Sequence, residues 1–224
     1  MKQTEKQTLG EKTAQNLLEM IQQKEYAPGD KLPTEAELVE TLGVGRNTVR
    51  EALRILMSRN IVTIRQGSGT FISEKNGVAD DPLGFFMMDD RRQLTEDLIQ
   101  ARLILEPALA ALAAQNGSEE EIKDLERILE ELEKLIRDKD YSEKDSQFHA
   151  QIATCSHNRV MTNLIPVITE GVRVFADSVE ETEYEQTLLS HRRIFEAIRD
   201  GRGEDARQEM YFHLMYNHNR YRKN

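Results

Sequence analysis

A single cysteine, Cys155, in 224 residues rules out an intrachain disulfide. No apolar run approaches the roughly 18 residues that a membrane helix needs. The opening stretch, MKQTEKQTLGEK, is polar from Met1 and lacks the apolar core of a signal peptide. Internal repeats and low-complexity tracts are also missing. These absences predict a soluble, cytoplasmic chain with no membrane segment, held by an ordinary packed core. Strand signals are scarce as well, and beyond Leu94 there are none.

What is present is charge, at 31% of residues, with a formal net value of −10. Taken whole, that number argues against a nucleic-acid partner. Its distribution does not. Residues 1–75 hold 11 Lys/Arg against 10 Asp/Glu and are close to neutral, whereas residues 76–224 hold 19 against 30. The acidity belongs to the C-terminal part, and the arrangement of charge decides what the N-terminal part can bind.

The first 75 residues carry a compact series of local signals. Ala14, Leu17, Leu18 and Ile21 space a first helix. Thr34 and Glu37 form a capping box that opens a short second helix with Leu38, Val39 and Leu42 inward. A GVG turn leads into RNTVREALRILM, a third helix with Val49, Leu53 and Leu56 on its apolar face. IVTIR, a QGSG turn and TFI then read as a β-hairpin. Helix, helix, turn, helix and hairpin make a winged helix-turn-helix over residues 1–75. Residues 76–93 read as a linker whose sticky segment, LGFFMM, should dock on one of the domains.

Residues 94–224 show six helical patterns, near 94–116, 118–138, 140–156, 159–179, 184–200 and 203–222. Ser118 and Glu121 make another capping box, followed by Ile122, Leu125, Leu129, Leu132 and Ile136 at heptad-like spacing. Pro107 should kink the first long helix. Short connections predict an antiparallel all-α bundle of six or seven helices, so the chain is mainly α.

On the third helix, Arg46, Arg50 and Arg54 repeat every four residues opposite the apolar face, with Asn47 and Thr48 at its start. The second helix of a helix-turn-helix enters the major groove, where the planar arginine fork matches the O6/N7 acceptors of guanine. Lys31, Arg65 and Gln66 lie where DNA backbone or minor-groove contacts would fall, and the Gly-rich hairpin tip permits close approach. A merely solvated basic face is the plain alternative. GDKLPTEAELVETLGVGRNTVREALRIL followed by RQGSGTFI resembles the DNA-binding domain of the GntR family of bacterial transcription regulators. The all-α remainder is similar to the FadR-type branch, whose C-terminal bundle senses a ligand. The resemblance implies a homodimer on a palindromic double-stranded DNA operator, with Arg46, Arg50 and Arg54 contacting DNA and Gly69 at the wing tip entering the minor groove. It also implies transcription regulation, with a repressor as the expected type. Where the family often has Ser before the first arginine, this chain has Gly45, a weaker N-cap, and no DNA role is carried onto it.

In the second part, Asp145 and His149 align with Ile152, His191 with Leu188, Phe195 and Ile198, and His213 with Met210. Three inward helix stripes therefore carry one carboxylate and three imidazoles. Left unpaired inside a bundle, such groups cost several kcal/mol, roughly. A divalent cation would offset that cost: zinc first, with nickel or manganese as alternatives. Each histidine alone reads first as an ordinary hydrogen-bonded core residue, and it is the four residues together on three inward stripes that reverse the preference. Many FadR-type bundles hold a metal with an Asp-x-x-x-His pair and two later histidines, and the resemblance implies that role for Asp145, His149, His191 and His213. His157 and His218 join no stripe.

Arg102 lies among Leu98, Leu105 and Leu109 and needs an anion there, either Glu106 one turn on or the carboxylate of a small organic acid effector. The family often has an arginine at this place in its effector pocket. Asn158 and Asn163 are further candidates for effector contacts. The expected function is DNA binding controlled by that acid. A metal-dependent enzyme acting on a small carboxylate is the alternative, and an architectural DNA binder without a ligand is a third reading.

Overall fold

The computed structural model describes residues 7–75, 77–79, 81–135, 141–175 and 184–222. They form two compact units, Met1–Pro82 and Leu83–Asn224.

In the first unit, α1 (Leu9–Gln23), α2 (Glu35–Leu42) and α3 (Arg46–Ser58) precede an antiparallel hairpin of β1 (Val62–Arg65) and β2 (Gly69–Ile72), paired Val62 to Ile72 and Arg65 to Gly69. The capping boxes of α1 (Thr8 with Glu11) and α2 (Thr34 with Glu37) are both formed. Gly43 ends α2 in the left-handed region at φ 64°, a conformation that glycine adopts without steric cost. Ala14, Leu17, Ile21, Leu38, Val49, Ala52, Leu53, Leu56 and Val62 make one core. That core is the apolar stripe read from the sequence, turned inward. Residues 29–32 run beside β2 through Leu32 N–H to Thr70 and Ile72 N–H to Asp30, which places Lys31 next to the hairpin.

The second unit holds α4 (Arg91–Asn116), α5 (Glu119–Lys134), α6 (Tyr141–Cys155), α7 (Arg159–Phe175), α8 (Tyr184–Arg199) and α9 (Gly203–Tyr221) among the described residues. Pro107 lies inside α4, which continues past it. The Ser118–Glu121 capping box of α5 is formed, and Leu125, Leu129 and Leu132 are fully buried; Ile136 lies outside the described residues. α4 packs most extensively on α9 and also against α6, α7 and α8, so it forms the spine of the bundle. The main core gathers Phe148, Ile152, Ile194, Phe195, Ile198, Met210 and Leu214 from α6, α8 and α9.

The stretch read as a linker divides between the units. Asn60 Nδ2 donates to the Val78 carbonyl in the first. In the second, Phe85 opens a short 3-10 turn (Phe85–Met87) and packs with Leu94, Leu98 and Ile168. Gly171 makes room for that ring, since a Cβ there would lie 3.2 Å from two of its carbons.

Candidate functional site

α6, α8 and α9 each bring a histidine to one buried point, against α4. His149, His191 and His213 are at most 2% exposed, and Asp145, one turn before His149, reaches the same point from the edge. One ligand atom from each of the four residues lies within 4.8 Å of all the others. The ring centroids are 5.5 Å apart for His149 and His191, 5.3 Å for His149 and His213, and 4.4 Å for His191 and His213. The sequence-predicted quartet is therefore one cluster. His157 is outside it, exposed and 2.9 Å from Glu121, and the half-buried His218 is outside it too.

The contacts inside the cluster are close but incomplete. His191 Nε2 is 3.2 Å from Asp145 Oδ1, and His149 Nε2 is 3.9 Å from Asp145 Oδ2. Neither ring nitrogen of His149 or His191 makes a well-directed hydrogen bond, although all four atoms are buried. Buried polar groups in that condition are rare and call for a partner. Two bonds of about 2.0–2.2 Å to a first-row metal span at most about 4.4 Å. The four ligand atoms, none more than 4.8 Å from another, would draw together around such an ion.

Electrostatics prepare the same donor set. Burial lowers the pKa of His191, and the neighbouring Asp145 only partly offsets it. His213 is lowered well below the usual range by burial, then by His191 and His149. Burial works to raise the pKa of Asp145, but the close approach of His191 and His149 and the Arg102 guanidinium outweigh it and hold the carboxyl well below the usual range, so it stays ionised. Neutral imidazole and ionised carboxylate are the forms that bind a cation. The residues present fit a divalent metal.

A second layer surrounds the cluster. Arg102 Nε donates to Glu106 Oε1 at 2.5 Å, and Glu106 Oε2 lies 2.5 Å from His149 Nδ1. Both Arg102 and Glu106 are buried. Burial would raise the Glu106 pKa, yet Arg102 and then His149 hold it at about 2. Burial likewise opposes the Arg102 charge, and Glu106 and Asp145 more than compensate. Arg102 thus has its i+4 carboxylate, while its Nη2 remains buried without a hydrogen bond. On the far side, Ser190 Oγ is 2.8 Å from His213 Nδ1, and Asn217 Nδ2 is 3.3 Å from His213 Nε2.

Sequence reasoning named Glu106 but did not place it against His149, and it missed Ser190 and Asn217. Asn217 follows His213 by four residues, so the spacing rule that found Asp145 and His149 could have found it. No local pattern places Ser190 against His213 or Glu106 against His149. Of the two candidate asparagines, Asn158 Oδ1 accepts from the N–H groups of Val160 and Met161 at the start of α7, and Asn163 is exposed on that helix.

In the first unit, α3 exposes Arg46, Asn47, Arg50 and Arg54, with Thr48 half-buried. Arg50 Nε donates to Glu35 at 2.9 Å, a solvent-exposed pair of small energetic weight. Arg65, Gln66 and Gly69 are exposed on the hairpin. The Arg65 guanidinium lies 4.6 Å from the Phe71 ring centroid, and Lys31 Nζ lies 5.9 Å from it. Gly69 has φ +118°, and a Cβ there would fall 2.9 Å from Lys31 Cε, so glycine serves both the turn and the lysine beside it.

Residues 9–72 match the family described as bacterial regulatory proteins, gntR family, and residues 97–215 match the FCD domain. The galactonate operon transcriptional repressor of Escherichia coli is 29% identical over 191 residues, 82% of this chain and 83% of that protein. An Escherichia coli protein named for regulation of the L-lactate dehydrogenase operon is 32% identical over 227 residues, 94% of this chain and 85% of that protein. Among solved structures, Streptococcus agalactiae GntR is 40% identical, with a TM-score of 0.82 over 94% of this chain and 99% of that one. These relatives are named as transcription regulators, not enzymes. No helix among the described residues is long and apolar enough to cross a membrane. With a winged helix-turn-helix of the GntR type followed by an all-helical FCD domain, the chain belongs to the GntR family of bacterial DNA-binding transcription regulators.

Proposed function

We propose that this regulator holds a divalent metal with Asp145, His149, His191 and His213, and that a small organic acid bound at that centre controls its affinity for operator DNA. The observation that carries the reading is the buried quartet of ligand atoms within 4.8 Å of one another, with well-directed hydrogen bonds lacking at His149 and His191. Three imidazoles suit zinc, and nickel or manganese are the alternatives that the Asp oxygen allows. The ion would supply a Lewis-acidic contact for a ligand oxygen. Arg102 Nη2, buried without a hydrogen bond beside the cluster, would give the acid a charge-assisted one.

Two relatives are named for a galactonate operon and an L-lactate dehydrogenase operon, which supports a 2-hydroxycarboxylate as the effector class to test. Galactonate and L-lactate are both 2-hydroxycarboxylates, which can offer a carboxylate and a neighbouring hydroxyl to one cation. In the N-terminal unit, exposed Arg46, Asn47, Arg50 and Arg54, with Thr48, suit base edges and phosphates of the major groove. Lys31, Arg65, Gln66 and Gly69 suit the adjacent backbone or minor groove. One recognition helix reads only a few base pairs, so a palindromic operator calls for a homodimer.

Effector coupling of this kind typically amounts to about 1–3 kcal/mol, roughly a 5–150-fold change in affinity. The test uses the full chain, wild type and the His149→Ala and His191→Ala variants. Metal content is measured after exposure to zinc, nickel and manganese. Binding to a duplex carrying the promoter of the protein's own gene is titrated with lactate and galactonate. The expected result is one metal per wild-type chain, and a DNA affinity that an acid shifts only in the metal-loaded protein. Wild type that binds none of the three metals more tightly than the variants would remove the centre from the account.

A further inference from the structure

The hairpin of the first unit gathers two cations on one ring. Its register sets Thr63 opposite Phe71 and Arg65 opposite Gly69, and the bridge from residues 29–32 sets Lys31 opposite Phe71 from the other side. Side chains alternate along a strand, so Lys31, Thr63, Arg65, Gly69 and Phe71 share one face. Leu32, Val62, Thr70 and Ile72 face the other way and are buried. On the outward face, the Arg65 guanidinium lies 4.6 Å and Lys31 Nζ 5.9 Å from the centroid of the half-buried Phe71 ring. A ring face attracts a cation at both distances. Gly69 completes the seat, because a Cβ there would stand 2.9 Å from Lys31 Cε. Asp30, the acid next to Lys31 in the chain, accepts from the Ala27 N–H. Among the described residues neither cation has a carboxylate partner, whereas Arg50 on α3 has Glu35. Two like charges gathered on one ring repel each other, and an anion from outside the chain would offset that repulsion.

We infer that Phe71 is a positioning residue whose ring, with Gly69, holds Lys31 and Arg65 together as one preformed clamp for DNA phosphates. The inference rests on the reading of the hairpin as a DNA contact, and it adds the residue that makes two flexible cations act as one site. A long cationic side chain loses rotamer freedom when it is fixed on a phosphate. The Phe71 ring takes that loss before DNA arrives, so less of it weighs on binding.

Binding of the full chain to a duplex carrying the promoter of the protein's own gene is measured by fluorescence anisotropy over a range of salt. Lys31→Ala combined with Arg65→Ala is expected to weaken binding and to flatten the slope of log affinity against log salt by about 1.8, for two lost phosphate contacts. Phe71→Leu is expected to lose about 5–50-fold at an unchanged slope, since both charges remain, and Phe71→Tyr to bind as wild type does. A residue that supported only the fold would cost the same factor in any background. The Phe71→Leu loss is instead expected to vanish once Lys31 and Arg65 are alanine. A Phe71→Leu protein that binds like wild type overturns the inference, and so does an undiminished loss in the alanine background. Should the double alanine variant keep wild-type affinity and slope, the DNA reading of the hairpin fails, and the clamp with it. NMR on the DNA-free protein judges the seat separately. Arg65 side-chain protons are expected upfield of their ordinary positions in wild type, shifted by the ring beneath them, and to return in Phe71→Leu. Ordinary positions in wild type overturn the inference, and this measurement still decides should Phe71→Leu not fold.

Discussion

Cys155 shows how much a single buried side chain can report. It is fully buried at the end of α6, with Sγ 3.8 Å from the Glu121 carbonyl. Burial first, and the Glu121 charge second, push its thiol up to about 12. The thiolate is the reactive form, so native Cys155 should be inert toward alkylating reagents at pH 8 and become reactive on unfolding. The sign of the linked stability follows. Below the unfolded-state pKa, about 8.5, both states hold the proton and the thiol has no effect on the pH slope. Above it the unfolded chain ionises while the folded one does not, and stability declines with pH. Cys155→Ala should flatten that decline between about pH 8.5 and 10. Rapid labelling of the native protein at pH 8, or an unchanged slope in the variant, would contradict the assignment.

At the scale of the element, the N-terminal end of α3 differs from those of the capped helices around it. α1, α2 and α5 each start on a full capping box. α3, which carries Arg46, Arg50 and Arg54, starts on Gly45 with no side-chain cap. The backbone at Gly45, φ −70° and ψ 157°, is one that any residue adopts, and a Cβ there would meet nothing within 4 Å. Gly45→Ser should therefore stabilise the protein by a few tenths of a kcal/mol, whereas Thr34→Ala should cost about 1 kcal/mol. Urea denaturation midpoints measure both. A loss of stability in Gly45→Ser would show that the open N-terminus of α3 has a structural reason not visible in its surroundings.

For the whole molecule, separate cores predict separable responses. The first unit is built around Leu17, Leu38, Val49 and Leu56, the second around Phe148, Ile152, Ile194 and Met210. All four members of the cluster belong to the second. Zinc that binds only the folded bundle stabilises it by about 2.7 kcal/mol at a free concentration 100 times its Kd. Calorimetry of the full chain should show zinc raising the bundle's transition, with a chelator reversing the shift and the transition of the N-terminal unit staying in place. Two transitions that both ignore zinc would count against the centre.

How far the sequence reached depended on the range of the interaction that encodes each feature. The winged helix-turn-helix rests on capping boxes, an apolar stripe and a Gly-rich turn, all signals within about one or two helical turns, and each was legible. The quartet Asp145, His149, His191 and His213 was legible for the same reason, because helical period alone assigns each residue to an inward stripe. Period does not say which stripes meet or how closely. Only the packing of α4, α6, α8 and α9 brought the four ligand atoms within 4.8 Å. It also set Glu106 against His149 across 43 positions of sequence and Ser190 against His213 across 23. Those contacts are between elements, where side-chain shape and burial choose the partner, and no spacing in the chain records the choice.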